Sequence, residues 1–144
     1  MRTIAMAAGV ILALASTGTV AQSTVKEVLD AGGKALTKAE LMALLPGASF
    51  SGPTSAGTQL QRNMKADGTY SGNVGTTYGK NAPQMGEWKV EDDGQLCITG
   101  TTQFRESSRS DKSCGLVYKL GDKYFVAVQD SGPGAPVLER SITK

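Results

Sequence analysis

The chain has 144 residues, of which 40% are hydrophobic and 18 are glycine, a size and composition that suit one small domain. Its 15 basic and 13 acidic residues are interspersed, so the sequence lacks the basic patch expected of a protein that binds nucleic acid or an anionic membrane surface. It contains no histidine, which excludes imidazole general bases, histidine-activated nucleophiles and histidine metal sites.

The first segment has the pattern of a secretory signal peptide. Residues 4–15, IAMAAGVILALA, form an uncharged apolar run that is too short for a membrane anchor, and the small polar stretch STGTVA follows. Cleavage is expected after Ala21, because Thr19 and Ala21 place small residues where signal peptidase reads them; Ala13–Ala15 is the alternative site. We therefore expect residues 1–21 to be removed and the protein to be periplasmic or secreted, without a membrane anchor.

The segment over residues 22–35 is a lead-in to the main domain. Its stretch STVKEVLDAGG could form a turn of helix that Ser23 or Thr24 caps and Gly32-Gly33 ends. It could equally be flexible, because so short a helix is marginal without tertiary support.

A firmer helix is predicted in LTKAELMALLPG. Thr37 and Glu40 have the spacing of a capping box, and Leu41, Leu44 and Leu45 then recur at helical spacing. Pro46-Gly47 ends the run. The apolar stripe of this helix must pack on the rest of a single domain, which we assign to residues 36–144.

From Ala48 onward, turn signals recur at short intervals between runs of β-branched and aromatic residues. None of the links is long enough for a parallel crossover, so the sheet should be antiparallel. The sequence predicts a mainly β protein: a curved antiparallel meander sheet or a small lipocalin-like barrel, with one N-terminal helix packed on it. Strands are expected near residues 48–52, 57–65, 69–75, 86–91, 95–101, 114–120 and 123–129, with an eighth at 136–142.

The stretch GEWKVEDDGQLCI, residues 86–98, is predicted to be a hairpin. Trp88 and Val90 alternate with polar residues before Asp92-Asp93-Gly94, and Leu96 and Ile98 alternate after it. Consecutive acids could in principle ligate calcium, but a calcium loop needs ligands at every second position. We interpret the acids as a solvated turn and expect no metal.

Cys97 and Cys114 are the two cysteines, and in an exported protein they are expected to pair. Between them, residues 101–113 are polar and without period, which indicates an exposed loop held at its base by the disulfide. Exposed loops on rigid sheets often bind partners, although a plain connector is the alternative. The candidate residues for binding an envelope or extracellular protein partner are Phe104, Arg105, Arg109 and Lys112.

The second hairpin, GLVYKLGDKYFVAVQD, is the most hydrophobic part of the chain after the signal segment. Both faces of YFVAV are apolar, so this strand is either central in the sheet or covered on its back by the helix around Leu41, which we favour. Trp88, Tyr118, Tyr124 and Phe125 could line a pocket for a small apolar ligand. Tyrosines on strands more often cap a core, so the pocket is the alternative to the loop.

Little catalytic chemistry is left to a chain without histidine or free thiols. Ser110 and Lys112 lie where nothing would depress a lysine pKa, and the acids gather at turns, not across a cleft. We expect neither an enzyme nor a cofactor.

Four motifs resemble the small exported proteobacterial proteins of the domain of unknown function 995 type. They are LTKAELMALLPG, DGTYSG at 67–72, GEWKVEDDGQLC at 86–97 and CGLVYKLGDKY at 114–124, together covering about residues 36–128. The resemblance implies a secreted domain with a Cys97–Cys114 bridge and Trp88 in its core, and it implies no catalytic residue. The expected function is noncatalytic binding, of a partner in the manner of an inhibitor or immunity protein, or alternatively of a small hydrophobic ligand.

Overall fold

The structure is a computed structural model that describes residues 23–128 and 132–144. The predicted signal peptide and its cleavage site lie outside the described residues. The helices are α1 (Val25–Asp30) and α2 (Lys38–Leu44), and the strands are β1 (Lys34–Ala35), β2 (Ser49–Pro53), β3 (Gln59–Met64), β4 (Thr69–Gly75), β5 (Asn81–Val90), β6 (Leu96–Gln103), β7 (Ser108–Gly115), β8 (Val117–Leu120), β9 (Lys123–Ala127) and β10 (Val137–Thr143).

The ten strands form one curled antiparallel sheet, a half-barrel, in the order β1-β8-β9-β10-β2-β3-β4-β5-β6-β7. Strands β2 to β7 are a meander in chain order, and β10 returns to pair with β2. The chain passes from β7 to β8 through Leu116 alone, so one extended segment pairs first with β6 and then with β9. The predicted fold class and all eight predicted strands are confirmed; the sequence pattern predicts neither β1 nor β7. In the described part of the chain, no helix is both long and apolar enough to span a membrane.

Both helices begin with a capping box. Thr24 accepts a hydrogen bond from the backbone N–H of Glu27, and the Glu27 carboxylate accepts one from the Thr24 backbone. Thr37 and Glu40 make the same reciprocal pair at the start of α2. The predicted helix over LTKAELMALLPG is therefore confirmed, and the lead-in segment adopts the helical alternative.

The concave side of the sheet holds the larger hydrophobic cluster. Leu41 and Leu45 are fully buried there, and they pack with inward residues that include Phe50, Met64 and Trp88. The Trp88 indole N–H donates to backbone carbonyls on neighbouring chain segments, which satisfies its polar atom inside the cluster. The predicted place of Trp88 in the core is confirmed.

A second cluster covers the outer face of β8 and β9. Val25 and Val28 of α1 pack there with Tyr118, Phe125 and Ala127. The expectation that the helix around Leu41 covers the back of YFVAV is wrong, because α1 covers that face and α2 belongs to the cluster on the concave side. Apolarity on both faces of β9 predicts that something covers it, but not which helix does so.

Residues 101–113 are not a loop, and that expectation is wrong. They continue the hairpin of β6 and β7, which pair from Leu96↔Gly115 to Gln103↔Ser108, with a tight turn closed by a 2.8 Å bond from the Phe104 N–H to the Ser107 carbonyl. Strand β7 is the last in the sheet order. Its residues from Ser108 to Lys112 are exposed, and an exposed edge strand carries polar residues on both faces. Because both faces of β7 are polar, the strand lacks the alternation of apolar and polar residues by which strands are recognised in a sequence.

The predicted disulfide is confirmed. Cys97 and Cys114 are directly opposite each other in the β6–β7 register, with their Cα atoms 4.0 Å apart. The bond therefore joins the edge strand to its neighbour at the end where the chain continues into β8. A disulfide indicates a protein that folds outside the cytoplasm.

Candidate functional site

The inner face of the sheet changes character along its length. In the half near α2, inward residues such as Trp88 of β5 and Ile98 of β6 are apolar and buried. Further along the same faces come Gln84 and Thr102. Because side chains on one face of a strand occur at every second position, these residues lie on the concave side above the hydrophobic cluster.

A row of paired positions crosses four strands at this level. Arg62 on β3 is opposite Gly72 on β4, Gly72 is opposite Gln84 on β5, and Gln84 is opposite Thr102 on β6. The Arg62 Nε donates to Gln84 Oε1 at 3.2 Å, and the Gln84 amide donates to Thr102 Oγ1 at 2.8 Å. Gly72 has no side chain to separate Arg62 from Gln84. The row is thus continuous across an intervening strand.

A second arginine enters the interior from β10. Arg140 is 7% exposed, and its guanidinium carbon lies 5.6 Å from the centre of the Phe50 ring. Its Nη1 donates to the Pro53 carbonyl at 2.6 Å and to the Glu139 carbonyl at 2.9 Å, while its Nε is buried without a partner. Gly52 allows β10 and this side chain to approach closely, because a Cβ there would lie 2.5 Å from the Glu139 carbonyl oxygen and 3.0 Å from Nη1.

We call Arg62, Gln84, Thr102 and Arg140 the polar tier. Within residues 23–128 and 132–144, no carboxylate lies within the 4.0 Å of an ion pair from either arginine. Asp111 is an acid that lines the same cavities, but it pairs with Arg109 at 3.0 Å. The described interior therefore has an excess of positive charge.

The pKa values of both arginines respond to this environment. Burial, followed by the positive charge of Arg62, lowers the pKa of Arg140 to about 10. Burial lowers the pKa of Arg62, and nearby Tyr70 and Asp111 oppose that change. A pKa of about 10 still leaves Arg140 charged at neutral pH.

An open cavity of about 470 Å³ contains both arginines. It lies between β6 and β7 on one side and β9 and β10 on the other. Its apolar wall is formed by Phe50, Leu96, Ile98 and Val126. Polar and apolar groups share the lining about equally, and the volume falls within the usual range of small-molecule sites.

The interior also opens between the hairpin tips. A cavity of about 480 Å³ there is bordered by the β2–β3 and β4–β5 turns and reaches Gln84, Thr102 and Asp111. These three residues also line a space of about 50 Å³ beside Arg62. The polar tier can therefore be approached both through this opening and from the larger cavity.

The predicted pocket residues are not brought together. Trp88 belongs to the concave cluster, and Tyr124 packs against that cluster. Tyr118 and Phe125 belong to the outer cluster under α1. The sheet separates the two pairs, so the four do not line one pocket.

The predicted loop residues are also distributed over different surfaces. Phe104 and Arg105 lie at the tip of the β6–β7 hairpin and border an open groove of about 350 Å³ beside Tyr78. Arg109 faces the opening at the hairpin tips, whereas Lys112 lies beside Cys97 on the outer face. Phe104 also borders the opening that Arg109 faces, so it shares one surface with Arg105 and another with Arg109, whereas Lys112 shares neither of them.

Sequence reasoning missed the polar tier, although two strands carried a signal. On β3, Arg62 lies at the inward position between the buried Leu60 and Met64, each two residues away. On β10, Arg140 lies two residues before the buried, inward Ile142. A charged residue in the apolar register of a strand marks a charge that faces the interior.

The polar groups at the site can donate hydrogen bonds to a ligand. In the part of the chain that the structure describes, no group of three or more acidic, cysteine or histidine residues could hold a metal ion. The groups that converge on the cavity are guanidinium, amide and hydroxyl donors on rigid strands. They can hold a polar or negatively charged ligand by hydrogen bonds.

Together, the fold and the site define a small disulfide-bonded β protein with a positively charged cavity in a curled sheet. The chain belongs to the family described as Protein of unknown function (DUF995), whose model matches residues 10–132. No curated protein matches the chain, and no solved structure matches it.

Proposed function

We propose that the protein is a noncatalytic, exported binding protein that holds a small molecule inside the half-barrel. The observation that supports this most directly is the cavity of about 470 Å³, in which the two arginines face an apolar wall. The disulfide and the signal-peptide pattern of residues 1–21 support export to the periplasm or beyond.

The position of the site on the sheet supports a preformed pocket. The two polar-tier hydrogen bonds hold Arg62 and Gln84 between rigid strands, so their donors need little ordering when a ligand binds. The ligand differs from the purely apolar one expected from sequence, because it must satisfy guanidinium groups as well as an apolar wall.

A cavity-blocking variant tests the proposal. Ser113 lines the cavity with both arginines, whereas Ser110 is on the opposite face of β7, 3.0 Å from Thr101. Ser113→Trp should therefore fill the site, and Ser110→Trp is a control of the same chemistry on the same strand.

The two variants and the native protein are incubated with a native envelope extract, purified again and unfolded, and the released small molecules are identified by mass spectrometry. We expect one compound to be released by the native protein and Ser110→Trp but not by Ser113→Trp. Equal release from all three would show that the compound binds elsewhere and would contradict the proposal.

A second function, recognition of a protein partner, is supported by the hairpin tips. Tyr78 is 89% exposed and Phe104 is 36% exposed, and the two border one groove together with Arg105. Exposed aromatic residues beside an arginine are typical of interface anchors. Affinity capture from an envelope extract with the Phe104→Ala, Arg105→Ala double variant, against native protein, tests this function: capture of the same proteins by both would contradict it.

A further inference from the structure

Arg140 poses an energetic problem that its contacts solve only in part. The side chain is 7% exposed, both of its hydrogen bonds come from Nη1, and Nε has no partner. A buried charge is costly unless it is paired and hydrogen-bonded. Among the described residues, no carboxylate is close enough to Arg140 to form an ion pair.

Arg62 adds to the cost. The two guanidinium groups line one cavity, and the charge of Arg62 is felt strongly enough at Arg140 to help lower its pKa. Each group lies against an aromatic ring, Arg62 at 5.0 Å from the centre of the Tyr70 ring and Arg140 at 5.6 Å from that of Phe50. Such contacts with ring faces are favourable to a cation but leave its charge uncompensated.

An anion in the cavity would compensate the positive charge of both guanidinium groups. A carboxylate or phosphate group accepts several hydrogen bonds from guanidinium groups, and such charge-assisted bonds are about twice as strong as neutral ones. The wall of Leu96, Ile98 and Val126 is apolar and offers no partner for a second charged group. The other charged residues of the lining, Asp111 and Lys112, lie on the exposed edge strand β7. A ligand that contacts both the arginines and this apolar wall therefore has an anionic group and an apolar part.

We infer that the half-barrel binds a small organic anion, with its carboxylate or phosphate held by Arg62 and Arg140 and its apolar part against Leu96, Ile98 and Val126. This inference rests on the proposed function and specifies the chemical class of its ligand. The Arg109–Asp111 pair beside the site leaves the excess positive charge with the two arginines of the polar tier.

Titration of the oxidised protein with defined probes tests the inference. The anionic probes are hexanoate and hexyl phosphate, which distinguish the two head groups, and the uncharged probe of the same length is hexanol. Inorganic phosphate and acetate test the head group alone. Calorimetry and thermal unfolding are measured at constant ionic strength, since exposed charges respond to salt.

We expect hexanoate or hexyl phosphate to bind at least tenfold more tightly than hexanol, and Arg140→Met and Arg62→Met each to weaken that binding at least tenfold. Arg105→Met is the control, because Arg105 lies at the hairpin tip outside this cavity. Circular dichroism confirms that each variant is folded, and two independent variants guard against the misfolding of one.

Three outcomes would overturn the inference. If hexanol binds as tightly as the anions, and Ser113→Trp abolishes its binding, the anion class is wrong while the interior site stands. If the anions bind to Arg62→Met and to Arg140→Met as tightly as to the native protein, they occupy another surface. If none of the probes binds and the envelope extract also yields no Ser113-dependent ligand, both the inference and the proposed function fail.

Discussion

Arg62 and Gln84 are joined by a 3.2 Å hydrogen bond although β4 lies between their strands. The residue of β4 that stands between them is Gly72, which is paired with both. The contact thus depends on one position having no side chain. It connects Arg62 of β3 with Thr102 of β6 through a single glutamine, and it fixes these three members of the polar tier across four strands.

Gly72→Ala should destabilise the protein and disturb this row. A Cβ at Gly72 would lie 1.9 Å from the carbonyl oxygen of Gln61, so β3 must move away from β4. Overpacking of this kind costs about 1 to 3 kcal/mol, and we expect a fall of that size in the free energy of unfolding, measured by urea denaturation. Gly134→Ala is the matched control, because a Cβ there meets no atom within 4 Å. Equal losses from both variants would contradict the packing argument.

Arg62→Met should leave stability unchanged or raise it in the absence of ligand. The substitution removes a half-buried positive charge beside Arg140, so both the cost of burying that charge and its repulsion of Arg140 disappear. Among the described residues, the side chain loses its hydrogen bond to Gln84, whose amide borders a cavity that water can enter, and its contact with the Tyr70 ring.

The denaturation midpoint of Arg62→Met is compared with those of the native protein and of Arg105→Met, whose side chain is exposed. A loss of more than about 2 kcal/mol would mean that Arg62 is a structural residue and that its charge needs no functional explanation. The same variant also loses binding under the inference drawn above, so stability and binding should change independently.

The sheet could be predicted from the sequence because apolar and polar residues alternate along its central strands. Trp88 and Val90, and then Leu96 and Ile98, separate an inward from an outward face without any knowledge of their neighbours. Strand β7 escaped this reasoning because an exposed edge has no buried face to impose a period. Alternation therefore finds strands only where one side is covered.

The polar tier could not be assembled from sequence, because its members meet through long-range pairing. Arg140 lies in the interior beside Gly52 because β10 pairs with β2, a strand that is far from it in the sequence. Arg62 meets Gln84 only because the register places Gly72 between them. Sequence patterns indicate which face a residue occupies, whereas the order and register of strands decide its partners.

The Cys97→Ser, Cys114→Ser double variant should lower the free energy of unfolding by about 3 kcal/mol. Its cysteines are 17 residues apart, and the chain-entropy model gives that value for a loop of this size. The bond also holds the edge strand β7 to β6 just before the chain enters β8. Urea denaturation of the native and variant proteins is repeated with reductant, which should bring the two midpoints together. Equal midpoints without reductant would show that the bond does not stabilise the fold.

The capping box of α2 should make stability depend on pH in the acid range. The backbone N–H and hydroxyl of Thr37 donate to the Glu40 carboxylate at 2.7 and 3.0 Å, and these bonds hold the pKa of Glu40 below its ordinary value of 4.5. A carboxyl whose pKa is lower in the folded state stabilises the protein above its unfolded pKa. That contribution is lost as the pH falls through the folded pKa.

Two variants separate the pH-dependent part of this cap from the rest. Thr37→Ala should lower the free energy of unfolding by about 1 kcal/mol at neutral pH, the usual cost of losing a helix cap, and the difference should narrow below pH 4.5. Glu40→Gln keeps a capping side chain but cannot ionise, so its stability should fall less steeply with acid than that of the native protein. Glu87→Gln, on the exposed outer face of β5, is the control for losing one carboxylate. Thermal unfolding from pH 7 to pH 3 measures all four proteins. If Glu40→Gln and the native protein lose stability in parallel over this range, the carboxylate of Glu40 does not stabilise the helix, because the lowered pKa requires its contribution to disappear on protonation.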